Sequence, residues 1–203
     1  MNELPRDPVL QASPARTTQA AEGLLRWRWT VAEIEAMGKA GILHEHDRFE
    51  LIGGELVPMQ AKGFRHELLK AALNRYWSRR LPDDIFLITE TTFRMSEDTF
   101  LEPDFVFYRR SDGLLNLNPA TALLVVEVSD STLWFDRGRK ARIYAAFGVR
   151  ELWVINAETL LTRVFREPGL DGYQKAPDIS ATDALVPEFA PALSVRLADL
   201  ELI

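Results

Sequence analysis

The segment Ala122–Val128 (ALLVVEV) constrains the fold most, because six of its seven residues are apolar. A run of this length and composition is typical of a strand that is covered on both faces at the centre of a sheet. Glu127 interrupts the run near its end. Since a carboxylate is rarely buried without a partner, this residue is a candidate for a role beyond packing.

Helical spacing and end signals predict three helices around this strand. Residues 30–33 (TVAE) fit a capping box, which predicts a short helix from Val31 to about Ala40, ended by Gly41. Apolar residues three and four apart predict an amphipathic helix over residues 64–80. The same spacing recurs over residues 136–147, and Gly148 follows as a helix-ending glycine.

The remaining periodic segments predict strands. Residues 48–57 indicate a hairpin around Gly53-Gly54, and residues 85–95 indicate one strand, bent in the middle. Further strands are predicted over residues 104–108, 151–155 and 161–165, with edge strands and packing segments after Pro168. Together with the helices, this order predicts a mixed α/β fold with one central sheet.

Length and composition indicate one folded unit. The chain has 203 residues, of which 47% are hydrophobic, enough for one core of ordinary size. Residues 1–23 show no sustained periodicity and are expected to form a flexible tail before a single domain at 24–203. No apolar run approaches the roughly 20 residues that span a bilayer, and no secretory signal is evident. We therefore expect a cytoplasmic protein without membrane association.

The residue inventory limits the chemistry. The chain contains no Cys and only three His, so a metal would be held mainly by oxygen, which favours Mg²⁺ or Mn²⁺. A formal net charge of -6 argues against a dedicated nucleic-acid coat protein. It does not exclude a nuclease, since a local basic patch can exist on an acidic chain.

Three carboxylates lie within or beside apolar strands: Glu50, Asp104 and Glu127. Each one alone is more often a hydrogen-bonded structural residue. On adjacent strands, however, the three could converge on a divalent cation, whose charge would offset their repulsion.

Lys140 is the candidate cation for such a site. It lies one helical turn after Asp136 and one before Tyr144, so the three residues share one helix face. A lysine there could position a water or stabilise charge on a phosphoryl oxygen. The alternatives are an ordinary ion pair between Asp136 and Lys140 and a purely structural Tyr144 in the core.

His66 and a group of hydroxyl residues have two interpretations each. His66, in the first turn of its helix, could bind a phosphate or act near a metal, or it could cap the helix. Ser129, Ser131 and Thr132 are expected to cap and order the turn after the central strand. A serine-hydrolase triad has little support, because no His is associated with these hydroxyls.

At this point the sequence resembles a known family. Pro103-Asp104 followed by Glu127-Val128-Ser129 is similar to the PD-(D/E)xK signature of the restriction-endonuclease-like superfamily. From about Thr30 to the C-terminus, an ordered set resembles the bacterial Uma-type family of restriction-endonuclease-like proteins. The set is Phe49-Glu50-Leu51-Ile52-Gly53-Gly54-Glu55, Arg65-His66, Pro103-Asp104, Val126-Glu127-Val128-Ser129, Ser131-Thr132, Asp136, Lys140 and Tyr144.

The resemblance implies a restriction-endonuclease-like core, with a central mixed β-sheet flanked by helices. It implies that Asp104, Glu127 and the Val128 carbonyl hold Mg²⁺ or Mn²⁺, with Glu50 completing the acidic pocket. One residue departs from the superfamily pattern, because Ser129 stands where a lysine is usual. In the Uma-type branch that lysine lies in the next helix, which matches Lys140.

The resulting hypothesis is a metal-dependent endonuclease that hydrolyses phosphodiester bonds, with DNA as the expected substrate and a homodimer as a possible form. Glu50, Asp104, Glu127 and Lys140 would be catalytic, with His66, Asp136 and Tyr144 as accessory residues. One alternative is a catalytically silent nuclease fold that acts as a binding or assembly module. Another is a metal-free structural protein whose carboxylates pair with Arg.

Overall fold

The computed structural model describes residues 26–44, 46–130 and 135–202. The predicted tail at residues 1–23, and the caps predicted at Ser131 and Thr132, lie outside these residues.

The described residues form eleven strands, three α-helices, one π-helix and three short 3-10 helices at Leu114–Asn116, Pro191–Leu193 and Leu197–Asp199. The helices are α1 (Val31–Lys39), α2 (Phe64–Ser78) and α3 (Ala141–Ala146), and a π-helix at Asp136–Lys140 leads directly into α3. The strands are β1 (Phe49–Ile52), β2 (Glu55–Pro58), β3 (Ile85–Thr89), β4 (Phe93–Arg94), β5 (Phe100–Leu101), β6 (Phe105–Arg109), β7 (Ala122–Ser129), β8 (Glu151–Asn156), β9 (Thr162–Gly169), β10 (Gly172–Lys175) and β11 (Asp178–Ile179).

A mixed seven-stranded sheet forms the centre of the molecule. Its order is β10-β9-β8-β7-β6-β3, with β11 paired to β9. Strands β7 and β8 are parallel, and the other neighbouring pairs are antiparallel. All eight residues of β7 are buried, as its apolar sequence predicts. Because β8 runs parallel to β7, the chain must cross over the sheet between them, and the π-helix and α3 lie in that crossover.

A second, four-stranded sheet lies beside the first, in the order β2-β1-β5-β4. The predicted hairpin is confirmed as β1 and β2, and Gly53 and Gly54 form its turn with φ angles of 57° and 80°. Positive φ at both central residues is what a two-residue hairpin turn of this twist requires. The prediction of a single central sheet was therefore incomplete.

The predicted strand over residues 85–95 is two strands in different sheets. β3 pairs with β6 in the central sheet, whereas β4 pairs with β5 in the small one. Glu90 follows β3 with a left-handed backbone, at a φ of 49°. The chain leaves the central sheet at this point, because a left-handed residue cannot continue an extended strand.

The helices α1 and α2 begin where the sequence signals predict, at Val31 and Phe64, and α2 ends at Ser78, two residues before the predicted end. Thr30 and Glu33 form the predicted capping box of α1. After the crossover helix, Gly148 takes a φ of 82°, as expected for a helix-ending glycine. Residues Asp136–Lys140, which the apolar spacing predicts as α-helix, form a π-helix instead.

Helices cover both faces of the central sheet. α2 and residues 185–197 pack on one face around Trp77, and α3 packs on the other around Tyr144. A third cluster joins α1 to the small sheet. Among the residues that the structure describes, no helix is long and apolar enough to cross a membrane.

Replacing Trp77 by Ala should destabilise the fold strongly. The indole is fully buried, packs edge-on against Phe105 and Phe107, and donates a hydrogen bond to the Leu193 carbonyl at 2.9 Å. The loss should be about 3–5 kcal/mol of unfolding free energy in urea titrations. The matched control is Trp27→Ala, because Trp27 is 70% exposed; equal effects of the two changes would contradict this packing.

Candidate active site

The two carboxylates of the predicted signature lie side by side at one end of the central sheet. The last antiparallel pair joins Phe105 of β6 to Val126 of β7, and the next position in that register would bring Asp104 opposite Glu127. β6 begins at Phe105, just after Pro103-Asp104, and Pro103 has no N–H with which to extend the ladder. Asp104 and Glu127 are only 3% and 5% exposed.

Asp104 is held by three donors from different parts of the chain. Its Oδ2 accepts a hydrogen bond from the Val128 N–H at 2.8 Å and lies 3.1 Å from His66 Nε2. Its Oδ1 accepts from the Lys62 amine at 3.1 Å. Burial opposes ionisation, but the His66 contact, the Lys62 charge and the Val128 N–H outweigh it and lower the pKa of Asp104 to about 2. Asp104 is therefore an anion at neutral pH.

Glu127 is more strongly desolvated. Its Oε1 lies 2.8 Å from the Lys140 amine and accepts a hydrogen bond from the Tyr144 hydroxyl at 2.6 Å. Burial, and then the charges of Asp104, Asp136 and Glu50, raise the pKa of Glu127 to about 8 in spite of Lys140. Three carboxylates, those of Asp104, Asp136 and Glu50, act on Glu127, against the single cation of Lys140.

Lys140 joins the two sheets through a pair of carboxylates. Its amine lies 2.7 Å from Glu50 Oε1 and 2.8 Å from Glu127 Oε1, and all three side chains are almost completely buried. Burial lowers the pKa of Lys140, but the charges of Glu127, Glu50 and Asp136 exceed this effect and raise it above its usual value. The lysine is therefore a cation at neutral pH.

Glu50 has a second contact that fixes its orientation. Its Oε1 also accepts a hydrogen bond from the Glu102 N–H at 3.1 Å. The small sheet thus carries one of the carboxylates that hold Lys140. The backbone at Glu102, between β5 and β6, helps to orient that carboxylate.

Accordingly, the structure brings most of the predicted site residues together. Glu50 comes from β1, Glu127 from β7, Lys140 from the π-helix and Tyr144 from α3. Tyr144 is both a core residue and a hydrogen-bond donor to the site, so its two interpretations are compatible. Asp136 is buried in the first turn of the π-helix and acts on Lys140 and Glu127 through its charge.

The capping interpretation of His66 is wrong. Gly63 is the N-cap residue of α2, and α2 has no capping hydrogen bond from a side chain at this position. His66 is instead buried, with Nε2 3.1 Å from Asp104 and Nδ1 3.1 Å from Glu67 Oε1. Its place in the first turn points the ring at the end of the central sheet rather than at the helix N–H groups.

Two residues at this site, Lys62 and Glu90, were not predicted from the sequence. Lys62 bridges Asp104 and Glu90, and the Glu90 N–H donates a hydrogen bond to the Asp104 carbonyl at 3.4 Å. A signal for Glu90 existed, because it is the one charged residue between Ile85 and Phe93 (IFLITETTF). Lys62 precedes the helix that carries His66, but nothing in its local sequence distinguishes it from a surface lysine.

The donor chemistry of the site fits a hard divalent cation. Asp104 and Glu127 offer carboxylate oxygens on neighbouring strands, and the Val128 carbonyl belongs to the same strand end. As the side chains are placed, the described residues contain no group of three or more Asp, Glu, His or Cys that could hold a metal ion. Amines lie against both carboxylates instead, so a cation at Asp104 and Glu127 would compete with Lys62 and Lys140.

The architecture and the paired carboxylates at one sheet end define a protein of the restriction-endonuclease-like class. A family model matches residues 31–198 and is described as "Uma2: Putative restriction endonuclease". The chain belongs to this Uma2 family, which confirms the resemblance seen in the sequence. The family and the fold together support a nuclease-like function.

Solved structures give two further comparisons. A crystal structure from Anabaena variabilis, described as a "putative nuclease", is 16% identical with a TM-score of 0.61, covering 84% of this chain and 96% of that one. At that identity the likeness shows the fold alone. The type IIG restriction endonuclease BpuSI is 20% identical with a TM-score of 0.40, covering 63% of this chain and 15% of that one. No curated protein matches the sequence.

In metal-free buffer, Glu127→Gln should remove a pH dependence of stability. The pKa of Glu127 is about 8 in the folded protein and 4.5 ordinarily. Between pH 4.5 and pH 8, the folded protein therefore holds a proton on Glu127 that the unfolded chain has lost. The stabilisation from Glu127 is complete below pH 4.5 and is lost as the pH rises through 8. From about pH 5 to 8, wild type should lose up to about 1.4 kcal/mol per pH unit relative to the variant in urea titrations.

The control for this series is Glu55→Gln, since Glu55 lies on the exposed hairpin strand β2 and pairs with Arg26. It should keep the wild-type pH dependence. Parallel stability profiles for wild type and Glu127→Gln would contradict the raised pKa of Glu127.

Proposed function

We propose that this protein is a metal-dependent endonuclease that hydrolyses phosphodiester bonds in DNA. The observation that carries the proposal is the position of Asp104 at the same sheet end as Glu127, where Asp104 accepts a hydrogen bond from the Val128 N–H and the Lys140 amine lies 2.8 Å from Glu127. The assignment of DNA as substrate draws on the restriction-endonuclease description of the family.

Asp104, Glu127 and the Val128 carbonyl would hold Mg²⁺ or Mn²⁺. When bound, such a cation lowers the pKa of a water molecule and neutralises charge on a phosphoryl oxygen. The excess of buried carboxylates over cations around Glu127 favours uptake of a positive charge at this point.

The protein's own groups supply orientation and charge. Tyr144 and Val128 fix the Glu127 and Asp104 carboxylates through their O–H and N–H groups. Lys140, kept cationic by the surrounding carboxylates, stabilises negative charge that develops on the phosphate. Glu50 holds the lysine in place at 2.7 Å, so its amine needs little reorganisation.

His66 positions the Asp104 carboxylate and does not itself contact the substrate. It lies between Asp104 and Glu67, each at 3.1 Å, and thereby fixes the orientation of the Asp104 carboxylate. Because α2 carries the ring, the helix links the orientation of Asp104 to the packing of the core around Leu69 and Leu73.

A second candidate function is a catalytically silent nuclease fold that binds nucleic acid. One observation favours it: the amines of Lys62 and Lys140 already lie 3.1 and 2.8 Å from Asp104 and Glu127, the two carboxylates that would hold the cation. This candidate predicts DNA binding without cleavage in either Mg²⁺ or Mn²⁺, and without any metal-linked gain in stability.

Asp104→Asn should abolish Mn²⁺-dependent nicking of supercoiled plasmid, with a loss of at least about 100-fold. It should also remove the rise in melting temperature that Mn²⁺ produces in wild type, because the amide is a weaker ligand than the carboxylate. The matched control is Asp84→Asn, an exposed aspartate that pairs with Arg109. Undiminished nicking by the Asp104 variant would contradict the proposal.

Lys140→Met tests the lysine separately from the metal. Nicking should fall about 100-fold, as is usual when a group that stabilises transition-state charge is removed, while Mn²⁺ still raises the melting temperature. Lys140→Arg keeps the buried charge and serves if the methionine variant does not fold. The control is Lys175→Met, on the hairpin strand β10, and it should nick as wild type does.

A methionine variant that nicks at the wild-type rate would remove Lys140 from the mechanism. Loss of both nicking and Mn²⁺-linked stabilisation would assign the lysine a structural role only.

A further inference from the structure

Three cationic side chains converge on one carboxylate oxygen beside the candidate active site. Glu90 Oε1 lies 2.9 Å from the Lys70 amine and 3.9 Å from Arg48 Nη2, and it accepts a hydrogen bond from the Lys62 amine. The three cations come from separate segments: Arg48 precedes β1, Lys62 precedes α2, and Lys70 lies within α2. Only the fold brings them together.

The Glu90 carboxylate lies outside the two lysines of this group, whereas Arg48 is as exposed as Glu90 and also pairs with Glu102 at 2.8 Å. The side chains of Lys62 and Lys70 are 12% and 15% exposed, whereas that of Glu90 is 38% exposed. Glu90 therefore covers two amines that would otherwise face solvent at the edge of the site. Moving its side chain aside would uncover both amines, and the carboxylate could become hydrated at low cost because it is already partly exposed.

Electrostatics and backbone conformation support the same view. The Lys62 hydrogen bond, against the effect of burial and together with Lys70, lowers the pKa of Glu90 to about 2, so the group is an anion near neutrality. Its backbone is left-handed, which is uncommon for a residue other than glycine and is found at functional sites. The fold thus holds an anion over a cluster of cations.

We propose that Arg48, Lys62 and Lys70 form a binding site for a backbone phosphate of the nucleic-acid strand, and that Glu90 occupies this site until the phosphate displaces it. A phosphodiester resembles the carboxylate in carrying one negative charge on two free oxygens. The inference rests on the proposed function, since Lys62 also contacts Asp104 at 3.1 Å and so places the phosphate next to the candidate metal ligand.

The overall charge of the chain makes such a site necessary for substrate binding. At a net charge of -6, the protein as a whole repels DNA. Affinity must then come from a few local cations that neutralise individual phosphates. A covering glutamate has a further consequence: it weakens binding, so its removal has the opposite effect from removal of a lysine.

The test measures binding of a fluorescein-labelled DNA duplex in EDTA over a series of NaCl concentrations. Lys70→Met and Lys62→Met should each weaken binding about 3- to 10-fold and reduce the slope of log K against log salt by about 0.9. Glu90→Gln should strengthen binding about threefold or more. Glu90→Gly, which also relieves the left-handed backbone, replaces the glutamine variant if that variant does not fold.

The chain offers a matched control pair at a distance from the site. Glu167 also has a left-handed backbone, with a φ of 58°, and it forms an ion pair with Lys175 across the β9–β10 hairpin. Glu167→Gln and Lys175→Met make the same charge changes and should alter affinity less than about twofold. This comparison separates the local site from a general effect of net charge.

Weaker binding by Glu90→Gln would overturn the proposal, since it would mean that Glu90 orders the lysines rather than competing with phosphate. Lysine variants that bind as wild type does would overturn it as well. Nicking of plasmid in Mn²⁺, measured on the same proteins, distinguishes this failure from failure of the proposed function. Nicking with lysine-independent binding removes only the phosphate site, whereas lysine-dependent binding without nicking removes only the nuclease activity.

Discussion

The buried contact of Lys140 with Glu50 and Glu127 is the interaction on which the rest of the site depends. Two carboxylates from different sheets approach the same amine, at 2.7 and 2.8 Å, in a place almost without solvent. Without the cation, the two acids would repel each other across the junction of the sheets, and removing one partner of a buried pair typically costs about 3–5 kcal/mol. The lysine therefore fixes the small sheet against the central one. It also delivers a positive charge to the point where the resemblance to nucleases predicts that a phosphate would lie.

A second set of charges surrounds Asp104 and connects it to α2. His66, Glu67, Lys70, Glu90 and Lys62 follow one another as contacting neighbours and return to Asp104, so acids and bases alternate around a closed ring. Alternation lets each group be neutralised by its neighbours, which explains how so many charged side chains tolerate partial burial. The two amines at the edge of the ring are the groups that a substrate phosphate would meet. The arrangement links the core packing of α2 to the carboxylate that would hold the metal.

Local signals in the sequence were sufficient for most of the helices and strands and for the residues that Ala122–Val128 and the following helix contribute to the site. The apolar run around Glu127, the capping box at Thr30 and the Gly53-Gly54 turn each encode their structure within a few residues, and each prediction is confirmed. The single strand predicted over residues 85–95 was wrong. The residues around Glu90 favour strands, and none of them indicates that Glu90 adopts a left-handed backbone. Lys62 could not be predicted, since its role depends on Asp104 and Glu90, 42 and 28 residues away in sequence. Lys140 pairs with Glu50 and Glu127, whereas the sequence alone also allowed an ion pair with Asp136. This choice of partners likewise depends on how the two sheets meet.

We propose that Asp104 and Glu127 share a divalent cation. The most direct measurement is a crystal structure of the wild-type protein grown with Mn²⁺, with anomalous diffraction collected at the manganese absorption edge. The expected result is an anomalous peak in contact with the carboxylates of both Asp104 and Glu127, with Lys140 still bound to Glu50. A map at saturating Mn²⁺ that shows the Lys62–Asp104 and Lys140–Glu127 contacts intact, and no peak between the two carboxylates, would contradict it.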